Sequence, residues 1–188
     1  LRTDINGWSN IYYYDMKGKL ITKLTDVDWN VSDIQFVDEK KGLVYFHGSG
    51  ENTTETHLCM VDLKSQSVEQ LTDVEGTHKC TVSPGGKYFI DRFSNIETPV
   101  AIQLHTLDGS SIREIGNQKS DVAEEYSLGE VELFTVPTDD GFELPVKWIL
   151  PPDFDDSKKY PVVFSVYGGP GGAEVKNTFS PYLGSQFL

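Results

Sequence analysis

Apolar and polar residues alternate in short bursts along most of this chain, and the bursts recur. The stretch NIYYYDMKGKLITKLTD, ending in Leu24-Thr25-Asp26, lines up with HLCMVDLKSQSVEQLTD, ending in Leu71-Thr72-Asp73, at an offset of 47 residues. The aspartates that close the first strand of each unit follow a similar spacing: Asp15 to Asp62 is 47 residues, and Asp62 to Asp108, in QLHTLDGSSIREI, is 46. Alternation with a period of two, broken by a polar or Gly-containing turn, predicts a β-hairpin in each unit. Further strand pairs lie between the units: DIQFVDEKKGLVYFHGS, and CTVSPGGKYFIDRFS around a Ser83-Pro84-Gly85-Gly86 turn.

About four short strands per period, at a period in the 40s, is the spacing of a β-propeller blade. A plain meander with accidental spacing is the other reading of the same pattern. Propellers protect their strand edges by closing a ring, and residues 1–118 hold only about two and a half blades. They are therefore expected to be the C-terminal part of a propeller that begins earlier in a longer chain.

The pattern changes after Ile115. GNQKSDVAEEYSLGE is polar and without apolar periodicity, so residues 119–129 read as a linker. VELFTVPTDDGFELPVKWILPPDF then predicts two strands around an Asp139-Asp140-Gly141 turn, followed by a polar DDSKK stretch and by YPVVFSVYGGPGG. The apolar run over residues 162–166 has no polar alternation and predicts a strand covered on both faces. Residues 130–188 are accordingly expected to open a second, α/β domain that is cut short.

The glycine-rich loop at residues 168–172 offers two chemistries. A phosphate cradle does not fit, because no G-x-G-x-x-G register runs through it and no Gly-Lys-Ser/Thr follows. An oxyanion loop does fit: in α/β-hydrolases such a loop follows an early buried strand and supplies a hydrogen-bond donor, while the nucleophile comes later on a G-x-S-x-G turn. Glycines let backbone approach substrate closely, and Tyr167 adds a phenolic donor at the strand end. The structural alternative is a tight turn with Tyr167 simply packed.

Composition narrows the partners. With 16 Lys and Arg against 29 Asp and Glu, the net charge is −13, which argues against a nucleic-acid partner. No apolar run approaches the ~18 residues of a membrane span, and LRTDINGW is not a signal peptide. Cys59 and Cys80 are too few for a disulfide scaffold and lack the close spacing of a metal site, so two thiols packed in strands are expected. Asn30-Val31-Ser32 and Asn52-Thr53-Thr54 are glycosylation sequons that matter only in a secretory eukaryotic cell. His47, His57, His78 and His105 all fall in propeller-like segments and are expected as loop or packed residues.

GWSNIYYYDMKGKLITKLTDVDWNV, HLCMVDL, SPGGKYFI and above all ILPPDFDDSKKYPVVFSVYGGPGG resemble the dipeptidyl peptidase IV family of serine peptidases, over essentially the whole chain. The resemblance implies a mainly β chain: the last blades of an eight-bladed propeller, followed by the truncated start of an α/β-hydrolase domain, with a buried chamber between the two. It implies an exopeptidase that releases N-terminal dipeptides with Pro or Ala second. In the family the VYGGP tyrosine donates its hydroxyl to the oxyanion, a role that falls on Tyr167. The Ser, Asp and His of the triad are expected after Leu188, and the glutamates that hold the substrate's amino terminus before Leu1. The piece alone is thus expected to be inactive.

The resemblance also implies peptide substrates, no cofactor and no metal, a periplasmic or extracellular location, and a homodimer for the whole protein. Sibling readings are an acylaminoacyl peptidase or a prolyl oligopeptidase, whose loops usually read differently from VYGGP. A catalytically dead propeller that serves as a binding surface is the reading from another class.

Overall fold

The computed structural model describes residues 1–119, 126–169 and 174–180. Among the described residues thirteen strands follow one another: β1 Arg2–Thr3, β2 Asn10–Tyr14, β3 Leu20–Lys23, β4 Val31–Asp38, β5 Leu43–Gly48, β6 His57–Asp62, β7 Val68–Gln70, β8 Thr77–Val82, β9 Tyr88–Ser94, β10 Ala101–Thr106, β11 Ser111–Asn117, β12 Val131–Pro137 and β13 Glu143–Ile149. They form a three-stranded sheet, β1-β2-β3, two four-stranded meanders, β4-β5-β6-β7 and β8-β9-β10-β11, and the hairpin β12-β13. Every strand pairing is antiparallel. The two complete meanders are the four-stranded blades that the sequence period predicts, so the repeat is structural rather than accidental.

Alternation along β5 and β6 shows why these strands stack as blades. Val44, Phe46, Cys59 and Val61 point to one side of their sheet and join Ile11, Leu24 and Val31 in a core shared with the first sheet. Tyr45 and Leu58 point to the other side and join Leu71, Cys80, Phe89 and Leu107 in a core shared with the third. The middle blade is therefore apolar on both faces and can exist only between neighbours. Each fully buried side chain such as Phe46 or Leu58 contributes about 1.5–3 kcal/mol. Cys59 and Cys80 are free thiols within these cores, as expected, and burial raises both thiol pKa values, that of Cys59 to about 12.

The Leu-Thr-Asp repeat has a clear role. Thr25 Oγ1 accepts the Ile11 N–H at 2.9 Å, and Thr72 Oγ1 accepts the Leu58 N–H at 3.2 Å, at matching places in the two blades. The aspartate spacing is corrected in the third unit. Asp15 and Asp62 close their turns through backbone bonds with Lys19 and Ser67, and the residue that does this in the third unit is Thr106, bonded to Ser110. Asp108 stands two residues further on, where its carboxylate accepts the Thr106 hydroxyl and the Ser110 N–H. The third turn spans four residues, as the Asp15 turn does, but Thr106 follows Asp62 by 44 residues rather than 47, so the aspartate that keeps the apparent period falls two residues inside the turn, where it still caps it.

The predicted turns form as expected. Gly86, at φ 58°, closes the β8-β9 turn with a bond to the Ser83 carbonyl, and a Cβ there would lie 2.5 Å from the Phe36 ring. Gly141, at φ 83°, does the same for β12-β13, bonding the Thr138 carbonyl.

The buried strand expected over residues 162–166 is not observed. The stretch has no strand pairing and is open to solvent, with Phe164 85% and Val166 88% exposed. A continuous apolar run becomes a central strand only when neighbouring strands and covering elements flank it, and among the described residues none does. No helix occurs among the described residues either, so the α/β half of the expected fold has no counterpart there. Most of the expected linker, residues 120–125, and residues 170–172 of the glycine-rich loop lie outside the described residues.

Candidate functional site

Two features carry chemistry: the Tyr167 loop, and a seam of buried polar side chains between the second and third blades. Tyr160 anchors the front of the loop. Its hydroxyl accepts the Asp155 N–H at 3.0 Å and its ring packs on Phe154. Beyond it the chain runs free of the blades to Tyr167, which is 56% exposed. The Tyr167 phenol folds back over Gly169, where a Cβ would sit 2.7 Å from the hydroxyl oxygen. A side chain at position 169 would displace the phenol from this placement along its own loop.

The seam lies where Thr56 and Thr77 make an isolated parallel bridge between blades. His57 Nε2 meets Glu55 Oε2 at 2.9 Å, and His57 Nδ1 meets Thr72 Oγ1 at 3.1 Å. The His57 ring packs on His78, centroids 5.2 Å apart. His78 Nδ1 meets Asp91 Oδ2 at 2.6 Å and its Nε2 meets the Val74 carbonyl at 2.8 Å. The Val74 carbonyl can only accept, so Nε2 carries a proton, and Nδ1 pairs with the Asp91 carboxyl. His47 Nε2 accepts the Cys80 N–H at 2.9 Å, which joins the second blade to the third, and its Nδ1 donates to Asp33.

His47, His57 and His78 are buried, and His105 donates from Nδ1 to the Gly109 carbonyl. All four are packed residues, as expected from the sequence, and among the described residues each ring is held by a partner other than a serine. What sequence reasoning missed is the set of acidic partners. Asp91 was findable: in YFIDRFS it takes an inward position of a strict alternation, between buried Phe89 and Phe93. Glu55 gave no such signal. Beside the seam a cleft of about 750 Å³ is lined by Glu51, Glu75, Glu97 and Glu143 and by Phe134 and Phe142.

His47 sets a pH dependence. Burial holds its pKa below the ordinary histidine value, against the opposing pull of Asp33. The folded imidazole therefore stays neutral where the unfolded one takes up a proton. Its contribution to stability is complete above the unfolded pKa of about 6.5 and is lost as pH falls below it. Thermal unfolding followed from about pH 8 to about pH 5 should show Tm falling, and His47→Gln, which keeps an acceptor for the Cys80 N–H, should flatten the fall. An equal fall in both proteins would remove His47 as its source.

Among the described residues no helix is long and apolar enough to cross a membrane. Residues 2–100 match the family described as the dipeptidyl peptidase IV (DPP IV) N-terminal region. The chain is 31% identical over 178 residues to a probable dipeptidyl peptidase 4 of Aspergillus flavus, covering 92% of this chain and 23% of that protein. It is 32% identical over 183 residues to dipeptidyl peptidase 4 of Trichophyton rubrum, covering 95% of this chain and 24% of that protein. The crystal structure of Porphyromonas gingivalis dipeptidyl peptidase 4 superposes with a TM-score of 0.85 at 25% identity, over 95% of this chain and 26% of that one. The chain thus spans about a quarter of the length of the relatives it matches. On the blades and on these similarities, it belongs to the dipeptidyl peptidase IV family.

Proposed function

We propose that the whole protein carrying this chain is a serine exopeptidase that releases N-terminal dipeptides, with Pro or Ala second, by acyl transfer. The observation that carries the reading is similarity to two dipeptidyl peptidase 4 proteins over 92% and 95% of the chain, an extent that takes in the Tyr167 loop. A serine outside this chain attacks the carbonyl after the second residue. The carbonyl oxygen becomes an oxyanion, which accepts hydrogen bonds from the Tyr167 phenol and a backbone N–H. The amine then leaves with a proton from the triad histidine, and water releases the dipeptide from the acyl-enzyme.

This chain's share is the loop and its support on the blades. Tyr167 stands exposed at the loop, as a donor must if it is to reach substrate. The net charge of −13 favours the approach of peptides with cationic N-termini.

The test is turnover by the full-length protein of a free-amine Xaa-Pro anilide and of its N-blocked counterpart. Cleavage of the free form alone is the expected result. Cleavage of the blocked form alone would reassign the protein to an acylaminoacyl peptidase or prolyl oligopeptidase, and cleavage of neither would leave a binding propeller.

A further inference from the structure

The second and third blades are joined by backbone at Thr56: its N–H donates to the Gly76 carbonyl at 3.2 Å, and its carbonyl accepts the His78 N–H at 2.8 Å. Four polar groups surround this junction. The Thr54 carbonyl and Glu55 Oε1 are acceptors, and the Thr77 hydroxyl and the Ile96 N–H are donors. Local turns hold two of them in place. Asn52 Oδ1 accepts the Thr54 N–H at 3.1 Å and the Thr54 hydroxyl at 2.8 Å, which fixes the loop that carries the Thr54 carbonyl. Asn95 Oδ1 accepts the Glu97 and Thr98 N–H groups at 3.0 and 2.7 Å, which leaves the Ile96 N–H to bond elsewhere.

Asn177 fills all four places. Its N–H donates to the Thr54 carbonyl at 2.8 Å, and its carbonyl accepts the Thr77 hydroxyl at 2.8 Å. Its Nδ2 donates to Glu55 Oε1 at 3.1 Å, and its Oδ1 accepts the Ile96 N–H at 3.0 Å. Next to it, Thr178 Oγ1 lies 2.8 Å from Ser94 Oγ. Asn177 is 8% exposed and Glu55 6%. Glu55 shows that the place suits this occupant. Its Oε2 is committed to His57 at 2.9 Å, and a carboxylate oxygen buried this deeply is costly unless a donor meets it. The Asn177 amide is that donor. A carboxylate at position 177 would repel Glu55, and alanine would leave Oε1 without a donor.

We infer that the junction of the second and third blades is a docking socket for Asn177, through which the chain following the glycine-rich loop is fastened to the propeller. Two blades and a segment 81 to 122 residues distant along the chain meet on one side chain. The junction and the segment are therefore expected to open together, whatever reaction the whole protein performs.

Hydrogen–deuterium exchange in the full-length protein tests this, read on the peptides that contain Ile96, residues 174–180 and strand β5. In the wild type both the Ile96 amide and the residue 177 amide should be protected. Asn177→Asp should speed exchange of both about 10-fold, while β5, inside the second blade, stays as protected as before. Adding Glu55→Gln supplies an amide that donates to the new carboxylate and a carbonyl that accepts from His57, and both rates should return to within about threefold of the wild type. If Asn177→Asp does not fold, Asn177→Ala, which keeps the backbone bonds, should still speed Ile96 exchange. Unprotected amides in the wild type, faster exchange at position 177 without Ile96, equal acceleration in β5, or no rescue by Glu55→Gln would each overturn the socket.

Discussion

Tyr167→Phe in the full-length protein should lower kcat about 10²–10³-fold while leaving the unfolding midpoint where it was. Loss of one oxyanion donor removes roughly 2.7–4 kcal/mol of transition-state stabilisation. The ring is retained and is already 56% exposed, so nothing in the packing depends on the hydroxyl. KM should change little, since the hydrogen bond strengthens only as charge develops on the carbonyl oxygen. Steady-state kinetics on a free-amine Xaa-Pro anilide provide the measurement. Undiminished turnover would return Tyr167 to the role of a packed residue at a tight turn, the alternative that the sequence left open.

The second large effect is on stability. Asp91 is 2% exposed, and its carboxylate serves His78 at 2.6 Å and the Cys80 thiol at 3.4 Å. Asp91→Ala leaves His78 Nδ1 and the Cys80 thiol in a buried site without their common partner. Breaking a buried pair by removing one partner costs about 3–5 kcal/mol, a large share of the roughly 5–15 kcal/mol that typically holds a domain together. Urea unfolding should show the midpoint falling with an unchanged slope. Asp91→Asn keeps an acceptor oxygen and should lose less. A loss below about 1 kcal/mol in Asp91→Ala would mean that the pair contributes no more than an exposed one.

The two predictions separate the molecule's two kinds of polar residue. Tyr167 stands in the open, where the proposed oxyanion role requires it, whereas Asp91 is buried as the partner of a histidine inside a propeller core. The sequence distinguished these cases unevenly. Tyr167 was visible because a glycine-rich loop after an apolar run is a local pattern. The histidines were correctly read as packed, but their acidic partners were not identified, since a pairing such as His57 with Glu55 and Asn177 closes only when residues 122 positions apart meet. The Asp108 misalignment arises because the residue that closes the third strand, Thr106, follows Asp62 by 44 residues rather than 47, and an aspartate within the turn happens to keep the apparent period.

The strand expected over residues 162–166 failed for the opposite reason. An apolar run states how a segment would behave inside a sheet, but pairing requires neighbours, and the described chain offers none. The hairpin β12-β13, by contrast, supplies its own partner and its own Asp-Gly turn, and it formed as predicted.

Read alone, the sequence specifies the local features of this protein: the strands of the blades and of the β12-β13 hairpin, the turns that join them, the blade period, the acidic charge and the candidate donor at Tyr167. Each of these depends on residues a few positions apart, where side-chain alternation and turn chemistry act directly. Sheet stacking is what buries the middle blade on both faces, joins His47 of the second blade to Cys80 of the third, and lets Asn177 meet Glu55. Those outcomes depend on which surfaces meet once the sheets stack, a condition that residues close together in the chain do not encode.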